Sequence, residues 1–266
     1  MKYILKAYLK FLLNSKNEHG VHSPFVFDLV TKCFYDKTKY SKYEVLKSYR
    51  KSLLNNHTII EVTDFGAGSR VFKSNQRRVS DIAKNAGISP KRAKLLYRMV
   101  RYFQPESILE IGTSLGLATA ALSLGKTSRS LKTKIITLEG CPNTLNHCKS
   151  QFQSQNSNFN IENIKFINTE FSSYLETATG NCDWKLILFD GNHSKSATLH
   201  YFELLVPTIS NDSVWIFDDI HWSKGMEDAW EFIKNHPKVT VTIDTFQWGI
   251  VFFRKEQAKE HFTIRV

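Results

Sequence analysis

"ILEIGTSLGLATAALS", residues 108–123, is the stretch on which the reading of this chain turns. Ile108, Leu109 and Ile111 form an apolar run that ends at Gly112, and Gly116 follows before any helical pattern begins. Leu117, Ala118, Ala120, Ala121 and Leu122 then give a helix small and apolar enough to lie against a sheet. A strand, a glycine turn and a helix opening at once bring backbone N–H groups and a helix N-terminus to one ligand. A second stretch, "EVTDFGAGSR" (61–70), also sets an acidic residue and glycines after an apolar run, here Ile59, Ile60 and Val62. It continues into "VFKSNQRR", which is polar and basic with no helical face. The cofactor loop is therefore the later stretch. The earlier one is left with two readings: a ligand-facing loop with Arg70, Arg77 and Arg78 nearby, or a plain hairpin turn.

Outward from residue 108 the pattern alternates. Buried-strand runs stand at 107–112, 134–140, 164–169, 185–191 and 213–219, with helical stretches near 115–125, 142–153, 170–178, 195–206 and 224–235. Strands separated by helix-length segments predict a parallel sheet covered on both faces. "VTVTIDTF" (239–246) and "WGIVFFR" (248–254) are separated by Gln247 alone, so they must pair antiparallel. The expected fold is α/β and Rossmann-like. It has seven strands, five of parallel type plus a terminal antiparallel hairpin, behind a mainly helical N-terminal extension. The division expected is 1–87 for the extension and 88–266 for the sheet domain.

Composition agrees with a globular chain of 266 residues, 42% of them hydrophobic and 23% charged. The net charge of +11 is uneven: residues 1–105 carry 21 Lys+Arg against 7 Asp+Glu, and residues 106–266 carry 15 against 18. The front of the chain thus faces something anionic or polar. Cys33, Cys141, Cys148 and Cys182 show no metal-type spacing and read as reduced thiols. Lys6 and Lys10 break the apolar N-terminus, and no small-residue cleavage site follows, so no secretory leader is expected. No stretch approaches the roughly 20 apolar residues that span a bilayer. A cytoplasmic protein is expected.

Glu139 ends the second strand, 27 residues after Gly112, where a carboxylate can accept from both hydroxyls of a ribose. With that acid and the terminal hairpin, "LEIGTSLGLAT" and the preceding "ISPKRAKLLYRMVRYFQPESI" resemble the class I S-adenosylmethionine-dependent methyltransferases. Among these the likeness is to the catechol, caffeoyl-CoA and macrocin type O-methyltransferases, over about residues 88–254. The resemblance implies S-adenosylmethionine as cofactor, with Glu110, Gly112, Ser114 and Gly116 around its methionine end and Glu139 on its ribose. It also places Glu170 and Phe171 by the adenine.

Two further strand ends carry acids, "FDGNH" and "FDDIHW". In this topology they open on one crevice, which gathers Asp190, Asp218 and Asp219 with His193 and His221. Carboxylates sharing a small volume repel unless a cation neutralises them, and hard oxygen ligands suit Mg²⁺. This matches the metal-dependent members of the resembled group, although Asp219 stands where catechol-type enzymes carry Asn. The resemblance puts a general base three residues beyond Asp190, at His193. Asp190 could instead touch the cofactor amine, and Asp218-Asp219 could cap a helix; His221 and Trp222 are candidate pocket walls.

The implied activity is metal-assisted O-methylation of a small-molecule hydroxyl. Two rivals stay open: an RNA methyltransferase using the Tyr- and Arg/Lys-rich segments 40–51 and 91–102, and a non-catalytic S-adenosylmethionine-binding protein. "NEHGVHSPF" (17–25) could line the acceptor pocket or simply cap a helix. Residues 1–14 read as a helix for packing, for an anionic membrane surface or for a homodimer.

Overall fold

The computed structural model describes residues 2–65, 68, 72–126, 133–178 and 183–266. Most of "DFGAGSR", including Arg70, and the fourth cysteine, Cys182, lie outside them. Cys33, Cys141 and Cys148 are free and buried. Eight strands form a mostly parallel sheet, and the chain divides into two compact units, residues 32–171 and residues 1–31 with 172–266.

In the first unit the sheet strands are β3 (Ser107–Ile111), β4 (Lys134–Glu139) and β5 (Ile164–Asn168), paired parallel in the order β3-β4-β5. Helices α6 (Leu117–Leu124) and α7 (Pro142–Ser154) connect them. Ahead of β3 come α3 (Lys42–Leu54), α4 (Val79–Asn85) and α5 (Pro90–Phe103). Ser89 accepts from Arg92 N and Pro90 occupies the first turn, as the Ser-Pro pattern predicts. α4 begins at Val79 with no side-chain cap. Val79 N and Ser80 N are instead satisfied by Thr58 O and Asn56 O, and the buried Val79 starts the helix directly out of a strand.

β1 (Ile59–Glu61) and β2 (Gln76–Arg78) pair antiparallel, which agrees with the hairpin reading of the stretch between them. "QRR" has no apolar face to announce a strand; its partner supplies the ladder.

The aromatic and basic residues of 40–51 and 91–102 engage one another. Arg101 lies 4.8 Å over the Tyr40 ring and Lys94 5.0 Å over Tyr43. Arg98 donates to Cys33 O at 2.7 Å and Phe34 O at 2.9 Å, satisfying carbonyls at the end of the 30–34 turn. Tyr49 is fully buried and donates to Leu115 O at 2.8 Å.

The second unit contains α1 (Lys2–Asn14), α2 (Pro24–Leu29), β6 (Leu186–Phe189), α9 (Lys195–Leu205), β7 (Val214–Asp218), α10 (Lys224–Asn235), β8 (Val241–Asp244), β9 (Trp248–Phe252) and β10 (Glu260–Thr263). α8 (Phe171–Ala178) starts at the boundary. Strand order here is β10-β8-β9-β7-β6. β6 and β7 are parallel, and β9 runs antiparallel to both β7 and β8, as the Gln247 spacing requires. β10 adds a strand beyond the expected seven, parallel to β8 at the edge.

Ser23 caps α2 by accepting from Val26 N and donates to Gln257 Oε1 at 3.2 Å. Asn17 Oδ1 accepts from His19 N, and Phe25 packs edge-on against Phe252. Segment 17–25 thus supplies two helix caps. α1 buries Ala7 and Phe11, yet Leu13 is 88% exposed, and Leu5 and Leu9 also face solvent. Tyr3 O–H donates to Glu227 Oε2 of α10. No helix among the described residues is long and apolar enough to cross a membrane.

Candidate active site

β3 delivers Glu110 into a fully buried position, and its Oε2 accepts from Thr119 Oγ1 and Thr137 Oγ1, both at 2.6 Å. Its other oxygen, Oε1, is buried without a hydrogen-bond partner. Burial pushes the carboxyl up from 4.5 to about 7, against the pull of the two threonines. A buried acid with one unpartnered oxygen is the complement of a cationic donor such as an amino-acid ammonium.

The glycine turn follows at once. Gly112, Ser114 and Gly116 take φ values of 103°, 48° and 75°, the left-handed region that folds a chain back on itself. Ser114 N donates to Glu139 Oε2 at 2.8 Å, and Cys141 N donates to Oε1 at 2.9 Å. Burial outweighs these two N–H donors and holds the Glu139 carboxyl above its ordinary value. The glycine turn and the acid of β4, far apart in sequence, thus share one end of the sheet. Glu170 is exposed at the end of β5 and Phe171 opens α8; Thr169 N, just before them, donates to Glu139 O at 3.1 Å.

Because Glu110 ionises less readily folded than unfolded, its contribution to stability is complete below about pH 4.5 and is lost as pH rises through about 7. The loss amounts to roughly 3 kcal/mol at alkaline pH. Urea unfolding of the ligand-free protein is expected to show that decline, and Glu110→Gln, which cannot ionise, to flatten it. An unchanged slope in the variant would assign the decline to other groups.

In the other unit, β6 and β7 end in acids that converge. Asp190, His193 and Asp218 each offer one ligand atom, and the three atoms lie within 4.8 Å of one another. His193 Nε2 stands 3.8 Å from Asp190 Oδ1. Asp218, the last residue of β7, is 5% exposed. Ser194 caps α9 immediately after His193, and Asn192 has a φ of 52°, so a tight turn sets the imidazole beside the strand end.

The neighbouring acid behaves differently. Among the described residues Asp219 is not part of that cluster; its φ is 54° and its N–H donates to Gln247 O at 2.8 Å. Successive residues diverge at a strand end, and the left-handed turn at 219 takes the chain away from β7. The histidine, not the second aspartate, supplies the third donor atom. His221 is held by Asp244, whose Oδ2 is 2.9 Å from Nε2, and its ring stacks on Phe246 at 5.3 Å. That histidine ties β8 to the turn after β7.

A Rossmann-like sheet with this glycine turn, an acid ending the next strand and an antiparallel terminal hairpin is the fold of the class I S-adenosylmethionine-dependent methyltransferases. Residues 109–220 match the family model described as "Methyltransferase domain", a span that includes both Glu110 and Asp219. Over that span the chain is similar to a methyltransferase domain. A Podospora anserina methyltransferase, PaMTH1, crystallised with SAH, is similar at 14% identity and a TM-score of 0.60, covering 89% of this chain and 97% of that one. An O-methyltransferase of Bacillus cereus in complex with SAH is similar at 18% identity and a TM-score of 0.53, with 82% and 93% covered. TomG, a Streptomyces achromogenes O-methyltransferase of tomaymycin synthesis crystallised with SAM, gives 12% identity, a TM-score of 0.55, and coverage of 82% and 91%. No curated relative matches the chain.

Proposed function

We propose that this protein is an S-adenosylmethionine-dependent O-methyltransferase that acts on the hydroxyl of a small molecule and is assisted by a divalent cation. The observation that carries the reading is the convergence of Asp190, His193 and Asp218 at the ends of β6 and β7 in a fold shared with O-methyltransferases.

The residues divide the work. Glu139 is suited to accept from the ribose hydroxyls, and the unpartnered oxygen of Glu110 suits the ammonium of the methionine moiety. Asp190 and Asp218 would hold the cation, Mg²⁺ by the hardness of their oxygens. Bound there, the cation supplies Lewis acidity, lowering the pKa of an acceptor hydroxyl. His193 would accept the hydroxyl proton at Nε2, which stands 3.8 Å from Asp190 Oδ1. When bound, the sulfonium cofactor would supply an electrophilic methyl group for the acceptor oxygen, with the neutral thioether as leaving group. Asp219, which is not in that cluster, would lie outside the cation's shell.

The test is methyl transfer from labelled S-adenosylmethionine to a panel of catechols, sugars and RNA, with and without EDTA. Transfer to a small hydroxyl compound that stops on chelation and returns with Mg²⁺ supports the proposal. Transfer to RNA, indifferent to chelator, would replace it with an RNA methyltransferase. Because Arg98, Arg101 and Lys94 are already engaged by protein groups, small acceptors are the favoured class.

A further inference from the structure

The β1–β2 hairpin has no part in the chemistry above, yet it is fastened to the residues that follow Glu139. Asn143 Nδ2 donates to Glu61 O at 3.0 Å, and the Cys141 thiol donates to the same carbonyl at 3.6 Å. Thr63 N donates back to Cys141 Sγ at 3.4 Å, and Val62 N to Asn75 O at 2.8 Å carries the ladder beyond β1. From the other side Asn168 Nδ2 donates to Glu139 O and Gly140 O at 2.8 and 2.9 Å. Segment 139–141 is thus held between β5 and the hairpin.

Phe65 lies over that segment. A Cβ built on Gly140 would stand 2.7 Å from Phe65 Cδ2, so the ring rests where any other residue at 140 would place its side chain. Even so, Phe65 is 58% exposed. A large aromatic ring with one side against backbone and the rest in solvent, one residue from the acid suited to a ribose, offers a π surface to whatever the ribose carries. Asp64, its neighbour in sequence, is paired with Arg77 at 3.3 Å and is close enough for its charge to bear on Glu139.

We propose that the β1–β2 hairpin is a nucleoside-binding element in which Phe65, seated on Gly140, stacks against the purine of the ligand whose ribose Glu139 accepts. The proposal rests on the cofactor reading above. Stacking of a base on an aromatic ring is sequence-tolerant and depends on the ring's face rather than on a hydrogen bond. Tyr at 65 therefore preserves it and Ala removes it.

The experiment is calorimetric titration of the full-length protein and its Phe65→Ala and Phe65→Tyr variants with SAH and with S-ribosylhomocysteine, which has the same ribose and amino acid but no base. The expected result is about a tenfold or greater rise in Kd for SAH in Phe65→Ala, near wild-type affinity in Phe65→Tyr, and no change between proteins for S-ribosylhomocysteine. Equal SAH affinity in wild type and Phe65→Ala, with wild-type binding intact, would overturn the inference and leave the cofactor reading standing. So would parallel losses for both ligands, which would mean the hairpin had merely moved. Wild-type protein that binds no SAH at all would overturn the cofactor reading and this inference together.

Discussion

Asp218→Asn is expected to lower kcat for methyl transfer by about 10²–10³-fold while leaving SAH affinity near the wild-type value. The substitution keeps the shape of a side chain that is 5% exposed, so the change is one of charge and ligand strength rather than packing. With Asp218 neutral, Asp190 is the only carboxylate left in the three-donor cluster. Removing Lewis-acid stabilisation of charge at an acceptor oxygen costs several kcal/mol, of which about 3–4 correspond to the loss stated. Two features make the result diagnostic. More Mg²⁺ should be needed for half-maximal activity in the variant, and the groups proposed for the cofactor, Glu110 and Glu139, lie in the other unit and stay intact. A variant with wild-type turnover at all Mg²⁺ concentrations would remove the cation from the reaction.

The second large effect is expected at Gly116. Its φ of 75° costs any L side chain about 1–2 kcal/mol, and a Cβ there would lie 2.6 Å from both Cys148 Sγ and Phe152 Cε2. Neither neighbour can retreat easily. Cys148 and Phe152 are fully buried, and Phe152 is packed against Tyr49 and Phe159 with ring centroids 5.3 and 4.7 Å away. Overpacking of that kind adds about 1–3 kcal/mol, so Gly116→Val should destabilise by roughly 2–5 kcal/mol. In a chain of this size that lowers Tm by about 5–15 °C, and the displaced turn should abolish SAH binding. Cys148→Ala in the same chain relieves the sulfur contact but neither the ring nor the backbone, so rescue should be partial. Gly68→Ala is the control: its φ is 78° but among the described residues nothing lies within 4 Å of the added carbon, and only the backbone penalty should be read. Equal Tm losses for Gly116→Val and Gly68→Ala would show that the packing beneath the turn is softer than the contacts indicate.

The parallel strands were legible because both of their faces are covered. Runs such as "LILF" and "VWIFD" are buried at every position, a signal that survives without knowing the partner strand. The glycine turn and Glu139 were legible for a similar reason: a strand, a tight turn and a helix leave few other arrangements. What escaped notice depended on partners distant in sequence. β10 shows one buried side chain in "EHFT", and only its register against Val241–Asp244 makes it a strand. At the candidate site, spacing alone could not separate two consecutive aspartates. The left-handed φ of Asp219 and its N–H bond to Gln247 O decide that Asp218 joins Asp190, and that His193 stands with them. In the aromatic and basic segments, composition does not reveal that Arg101 and Lys94 lie over neighbouring tyrosines.

β10 does more than widen the sheet. Lys16 N donates to Thr263 O at 2.8 Å, Arg265 N returns to Lys16 O at 3.1 Å, and the Arg265 guanidinium donates to Leu12 O and Ser15 Oγ at the end of α1. The residues just after the first helix and those of the last strand are sewn to each other, so neither can fray alone. Amide protons of β10 and of the 15–16 segment should therefore open in one cooperative step, and a protease cut between Phe253 and Lys259 would loosen both ends of the polypeptide at once.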